Sequence, residues 1–485
     1  MRQKEQGEAA GSAAQLSEAT EMQLSLKREI GLTSGVSLIA GTMIGSGIFM
    51  SPEWVLRNIG SPAGSLIIWA ACGLLATFGA LSYAELGTII KESGGEYIYI
   101  LRNFGSLPAF LFAYTSVIVV RPAGVAAISL SFAEYAVAPF YPGCSSPQLV
   151  VKCIAAACIL LLTLVNCLSV RLATSVMNIF TGAKLLALLV IVVGGIVLLV
   201  NGQGQNFQNA FQNTRYGAGA VGIAFYQGLW SFDGWNNLNY VTEEIKKPEV
   251  YLPRAMMIAI PLVTCLYLLV NVSYFAAMTP SELLSSGAVA ITWGNKVLGN
   301  SAWLISLSVA LSTFGSAHGT FFSGGRMCYI AAREGHMPDI LSMAHVRCLT
   351  PSPALIFTSA VSLIMIIPGN FSNIVNLFSF TAWLFYGITI AGLLYLKVKK
   401  PELPRSYRVP IVIPIVVLLT SVYLVLAPII DQPQTEFLYV ILFIFSGVIF
   451  YFPLVYYQYH PAFLKRLTLH LQLLLEVAPV EKNVN

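Results

Sequence analysis

Charge is scarce in this chain. Only 10% of its 485 residues are Asp, Glu, Lys or Arg, against about 25% in ordinary soluble domains. That deficit excludes a water-soluble globule of ordinary make-up. Catalytic and nucleotide signatures are missing too. There is no Walker A loop, so ATP does not drive the chain directly, and no GxSxG elbow, HExxH helix or paired CxxC. The five histidines (His318, His336, His345, His460, His470) share no metal-like spacing, so the residues call for no metal and no other cofactor. The first thirty residues are polar, with no apolar core ahead of a cleavage site, so no removable signal peptide is expected.

What is there is hydrophobic: 56% of the residues, with a mean hydropathy of +0.73. Apolar runs of spanning length recur along the chain. They predict an all-α polytopic membrane protein with twelve spans, at about 31–58, 65–89, 107–138, 149–168, 173–200, 217–242, 254–278, 302–328, 353–368, 373–396, 410–429 and 436–457. The fourth and fifth are joined so tightly, by Leu168 to Arg171, that they form a hairpin. A membrane domain over 30–458 then lies between tails at 1–29 and 459–485. With both termini in the cytoplasm, the inner segments hold 21 Lys and Arg and the outer ones only Arg57, Arg215 and Lys296. The positive-inside rule selects that orientation. The pI of about 8.7 therefore reflects topology and gives no hint of nucleic acid.

Two spans are interrupted, the first and the sixth. GVSLIAGTMIGSGIFMS (Gly35 to Ser51) breaks at Gly45-Ser46-Gly47, and AVGIAFYQGLWSFDGWNNLNYV (Ala220 to Val241) breaks at Asp233-Gly234. Glycine costs roughly 1 kcal/mol against alanine inside a helix. Unwound backbone at membrane depth is tolerated only where it is buried in protein or lines a cavity. Matched breaks five spans apart predict a 5+5 inverted repeat, about 31–200 and 217–396, plus two extra helices at about 410–457, with a transport site between the breaks. The halves are not visibly alike, so this rests on the breaks alone.

The first break suits an amino acid. A half-helix starting near Ile48 would offer free N–H groups and a partial positive charge to a carboxylate, with the Ser46 hydroxyl beside them. Free carbonyls near Met43 and Ile44 would favour an ammonium. The alternative is a glycine-mediated contact between helices. At the second break, a carboxylate at mid-membrane costs at least about 2.5 kcal/mol, so Asp233 needs a partner. It either neutralises a substrate cation or caps a half-helix starting near Trp235. Thr42 and Ser231, which flank the two breaks, are further candidates for substrate binding. Trp230, Phe232 and Trp235 either gate the site or pack, and Trp230, nearest the break, is the chosen gate.

Lys184 lies mid-span in NIFTGAKLLALLV. It is either a fixed positive charge where a coupling sodium would sit, a partner for a carboxylate such as Glu85, or a snorkelling chain, which its depth disfavours. Arg121 and Glu134 are structural or line a vestibule. Asn370-Phe371-Ser372 is a sequon too near the membrane to convince. Of eight cysteines, the topology puts only Cys144 in an outer loop; it is either an intermolecular disulfide or a free thiol.

GTMIGSGIFMSP, SGGEYIYI, LWSFDGWNNLNYVTEE, AREGHMP and LFSFTAWLFYG resemble the amino acid–polyamine–organocation superfamily, and more narrowly the light subunits of heteromeric amino acid transporters. Similarity runs from about Leu26 to Val480. Asp233, where relatives for large neutral amino acids usually have a small residue, and HLQLLLEVAPVEK point to the b(0,+)-type branch. The resemblance implies a LeuT-like fold and sodium-independent antiport, with cystine and the cationic arginine, lysine and ornithine entering while neutral amino acids such as leucine leave. It makes Met43, Ile44, Ser46, Gly47, Trp230 and Asp233 substrate contacts, Lys184 the sodium substitute, and Cys144 the disulfide to a single-pass glycoprotein heavy subunit, rBAT in this branch. It further implies the plasma membrane, apical in epithelia, and leaves open a dimer of heterodimers. Two residues depart from the pattern. His318 stands in SAHGT where Asn is usual; lining the pathway, it would make transport pH-dependent. Phe232 replaces a tyrosine.

A neutral-only exchanger, in which Asp233 merely caps a helix, is the nearest rival. An amino-acid-sensing transceptor with little flux is the rival of another class, but the tails hold no extended signalling domain. A membrane enzyme is disfavoured by the missing catalytic constellation.

Overall fold

The computed structural model describes residues 30–479 apart from 143, 169, 349, 432 and 460, and only the backbone of 170–179, 181, 243 and 244. The tail expected over 1–29, and the end of that over 459–485, lie outside the described residues. Helices dominate. The first span is split into α1 (Leu32–Met43) and α2 (Gly47–Ile59), bent by 48° to one another. After it come α3 (Pro62–Ile89), the short α4 (Glu96–Phe104), α5 (Ser106–Phe140), α6 (Gln148–Leu168) and α7 (Val170–Val200). The sixth span is α8 (Ala218–Trp230) followed, after an unwound stretch, by a 3-10 segment at Asn237–Glu244. Then come α9 (Pro248–Ala277), the short α10 (Pro280–Leu284) and α11 (Val289–Val297), α12 (Ala302–Arg333), α13 (Ser352–Ile366), α14 (Phe371–Lys399), α15 (Val412–Asp431), α16 (Thr435–Tyr451) and α17 (Ala462–Leu474). Two three-residue strands, Met343–His345 and Val477–Pro479, pair antiparallel.

Among the described residues, eight helices are long and apolar enough to cross a membrane, and nine when the bent α1–α2 pair counts as one span. The expected sixth, eighth and ninth spans fall short of that standard. The sixth is broken, α13 has only 15 residues, and α12 carries Ser306, Ser312, Thr313, Ser316, His318 and Thr320. All six are buried. A helix enclosed by other helices satisfies polar side chains within the protein, so its sequence need not be apolar all round. The peripheral helices show the converse. Leu160, Leu164, Leu186 and Leu189 of α6 and α7, and Leu419, Leu442, Phe445 and Ile449 of α15 and α16, point outward, as side chains facing lipid do.

Local chemistry sets the ends. Ser61 caps α3, its Oγ accepting from the Gly64 N–H at 3.2 Å with Pro62 at the first helical position. Asn370 caps α14 through Oδ1 and the Asn373 N–H at 3.0 Å. Between the two broken spans, Ile30 and Ile245 form a parallel bridge, with Lys246 N–H donating to the Ile30 carbonyl at 3.0 Å. A buried polar knot ties α3 to the far end of α14. Glu85 is fully buried and pairs with Lys397 at 2.7 Å and Arg405 at 3.3 Å, and accepts from the Val409 N–H at 2.9 Å. Glu85 is thus committed elsewhere, and the reading that paired it with Lys184 is set aside.

Candidate functional site

The two breaks meet in the middle of the bundle. Gly47 opens α2 against Ser231, so close that a Cβ at Gly47 would overlap the Ser231 backbone. The glycine-contact reading of the first break is therefore correct for Gly47, and it coexists with a site. Gly234 adopts φ +104°, a conformation L side chains rarely take, and faces Thr42. Tyr267 of α9 fastens the pair. Its hydroxyl lies 2.6 Å from the Met43 carbonyl and 2.8 Å from the Ser231 carbonyl, the loose ends of α1 and α8. Sequence reasoning missed Tyr267; its one signal was a tyrosine deep in an apolar run, where a hydroxyl must find an acceptor.

At the first break the helix ends at Met43 and resumes at Gly47 with Ser46 as N-cap. The N–H groups of Gly45, Ser46, Gly47 and Ile48 donate to no backbone carbonyl among the described residues, so the start of α2 presents its donors to the space beside it. The carbonyl side differs from expectation. The Met43 carbonyl already accepts from the Tyr267 hydroxyl. One turn earlier, Lys184 Nζ donates to the Gly41 carbonyl at 2.7 Å and is 1% exposed. Lys184 is therefore neither snorkelling nor paired to Glu85. Its ammonium sits against the C-terminal turn of α1, where the helix dipole is negative.

The second break resumes as a 3-10 segment beginning at Asn237, with Asn236 in the capping position and no side-chain cap. The α-helical restart near Trp235, and Asp233 as its cap, are corrected: a 3-10 turn is how the chain leaves the unwound stretch. Asp233 borders a small cavity of about 10 Å³, room for about one water. Thr42, Met43, Gly45, Ser46, Gly47 and Trp230 line it, with Ile128 of α5 and Ser316 and Thr320 of α12. Trp230 forms one wall. Its Nε1 donates to Ser46 Oγ at 3.3 Å, and its ring stands edge-on to Phe378 at 4.9 Å.

Not every candidate joins the cavity. Ile44 and Ser231 are buried beside it without lining it. Phe232 is fully buried and packs on Trp69 and Tyr267 with ring centroids 6.3 and 5.1 Å apart, a packing residue. His318 is 3% exposed and stacks near Phe322, two positions from both Ser316 and Thr320, and so turned away from the face they share. Ser316 and Thr320 gave no sequence signal, since small hydroxyl residues are common in membrane helices. Cys144 is exposed in the loop between α5 and α6.

The amino acid permease family profile matches residues 30–452. The chain belongs to the amino acid permease family. It is 54% identical over 461 residues to the human (Homo sapiens) b(0,+)-type amino acid transporter 1, covering 95% of both chains. It is 45% identical over 453 residues to the mouse (Mus musculus) large neutral amino acids transporter small subunit 2, covering 92% of this chain and 85% of that one. It is 42% identical over 460 residues to the human cystine/glutamate transporter, covering 94% and 92%. These relatives are amino acid transporters and not enzymes, and the resemblance read from the motifs is to the right family. This permease is accordingly a multi-pass membrane protein of amino acid transport.

Proposed function

We propose that this permease is a sodium-independent antiporter that takes up cationic amino acids and cystine in exchange for intracellular neutral amino acids by alternating access. The observation that carries the proposal is the shared cavity. Free N–H groups at the start of α2 and the Asp233 carboxylate border the same space, so one site has donors for an α-carboxylate and a negative charge for a cationic side chain. Lys184 supports sodium independence, because its ammonium already occupies a carbonyl of α1 that would otherwise be open to a cation. Twelve spans in a LeuT-like 5+5 arrangement, with both termini cytoplasmic, agree with breaks in the first and sixth. Exposed Cys144 is the attachment point for an rBAT-like heavy subunit in the plasma membrane.

The test is flux of labelled arginine into proteoliposomes loaded with leucine or left empty. Leucine inside should stimulate uptake severalfold without sodium. Uptake into empty vesicles that needs a sodium gradient would overturn the mechanism. A neutral-only exchanger has one observation in its favour: Arg121 lies within electrostatic range of Asp233. Strong leucine exchange with no arginine flux would select that reading.

A further inference from the structure

Asp233 borders a second chamber, of about 20 Å³, on the side away from Ser46. Its polar walls are Glu96, Ser116, Arg121, Asn236 and Tyr240. Glu96 is 1% exposed, and both its oxygens accept hydrogen bonds, Oε1 from Asn236 Nδ2 and Oε2 from the Tyr240 hydroxyl. The Arg121 guanidinium lies over the Tyr240 ring, 4.9 Å from its centroid. It is attracted to Glu96 and Asp233 without forming an ion pair with either among the described residues. Two carboxyl groups and one guanidinium thus line one small chamber, where a charge left without a partner is costly.

We propose that Arg121 and Glu96 set the substrate range of this permease by reading the far end of the substrate side chain. The inference rests on the exchange of cationic amino acids and cystine argued above. A side-chain ammonium or guanidinium is drawn to the acidic pair, Asp233 and Glu96. Cystine ends in an ammonium and a carboxylate, and the chamber holds a partner for each: the acidic pair for the first and Arg121 for the second. A short neutral side chain engages neither, and Arg121 then remains the sole counter-charge. Both signs of charge in one chamber explain how a single site accepts substrates of different net charge.

The experiment is uptake of arginine, cystine and leucine by proteoliposomes loaded with leucine, compared between wild type, Arg121→Gln, Arg121→Lys and Glu96→Gln. Absence of arginine flux in wild type would refute the parent reading, whereas the variants bear on the inference alone. Arg121→Gln should lower the cystine-to-arginine ratio about tenfold, the worth of one charged hydrogen bond. Arg121→Lys should largely restore it. Glu96→Gln should lower the arginine-to-leucine ratio by a similar factor. Equal loss of all three substrates in both Gln variants, or cystine uptake untouched by Arg121→Gln, overturns the inference. Should Glu96→Gln fail to fold, Glu96→Asp keeps the carboxyl group and draws it back by one methylene. It should lower the arginine-to-leucine ratio, and an unchanged or higher ratio counts against the proposal.

Discussion

The two interruptions in the membrane helices differ in how the chain continues beyond them. After Gly45-Ser46-Gly47 it returns to an α-helix, and its first N–H groups are left without backbone acceptors. After Trp230 it passes through an unwound stretch into a 3-10 segment, and side chains take over: Trp230 and Asp233 towards one cavity, Asp233, Asn236 and Tyr240 towards the other. Backbone donors cannot tell one amino acid from another, because every amino acid has the same carboxylate. Side chains can. On the reading proposed above, the first break serves what substrates share and the second how they differ.

Substitutions test that division in order of expected effect. Gly47→Leu forces a side chain into the Ser231 backbone, and transport of arginine and leucine should both fall below about a tenth of wild type while surface labelling reports the protein still present. Equal loss of both substrates is the mark of the shared half of the site. Asp233→Asn should instead split them. Arginine uptake should fall roughly ten- to hundredfold, the worth of a charge-assisted hydrogen bond, with leucine within about twofold. Equal, low arginine uptake in both proteins would place Asp233 outside substrate recognition. Lys184→Met removes the donor from the Gly41 carbonyl and should slow all substrates about tenfold without changing their ratio, since Lys184 lines neither cavity. Trp230→Phe keeps a ring against Phe378 and loses the 3.3 Å bond to Ser46. A roughly twofold change in exchange rate is expected from so long a hydrogen bond. Cys144→Ser should leave flux unchanged and abolish the high-mass band on a non-reducing gel of the chain co-expressed with its heavy subunit.

Much of this was legible in the residues because membranes impose strict rules. Apolar runs fixed the class, and glycines at mid-span pointed to the first break, although the second half-helix begins at Gly47 itself and not near Ile48. The misreadings share a cause. Asp before an aromatic reads as a helix cap, yet whether the chain restarts as an α-helix or a 3-10 turn depends on the helices around it. His318 and Phe232 sit in eye-catching sequence positions, but the rotation of α12 and the packing of Trp69 and Tyr267 turn them into the core. Tyr267, Ser316 and Thr320 were invisible for the opposite reason. They are ordinary residues of membrane helices, made functional by what lies opposite.

Composition, charge asymmetry and the two breaks determined by themselves that this is a helical membrane protein with a polar centre, because no other structure satisfies such a chain in lipid. Only the tertiary structure decided which groups share that centre. Lys184 was free to choose Glu85 until α3, α14 and the segment before α15 were seen to enclose Glu85 with Lys397 and Arg405. Asp233 had no visible neighbour until Glu96 and Arg121, each more than a hundred residues away in the chain, were found across one chamber from it. Sequence reports the charges one at a time, and their balance is a property of three-dimensional proximity.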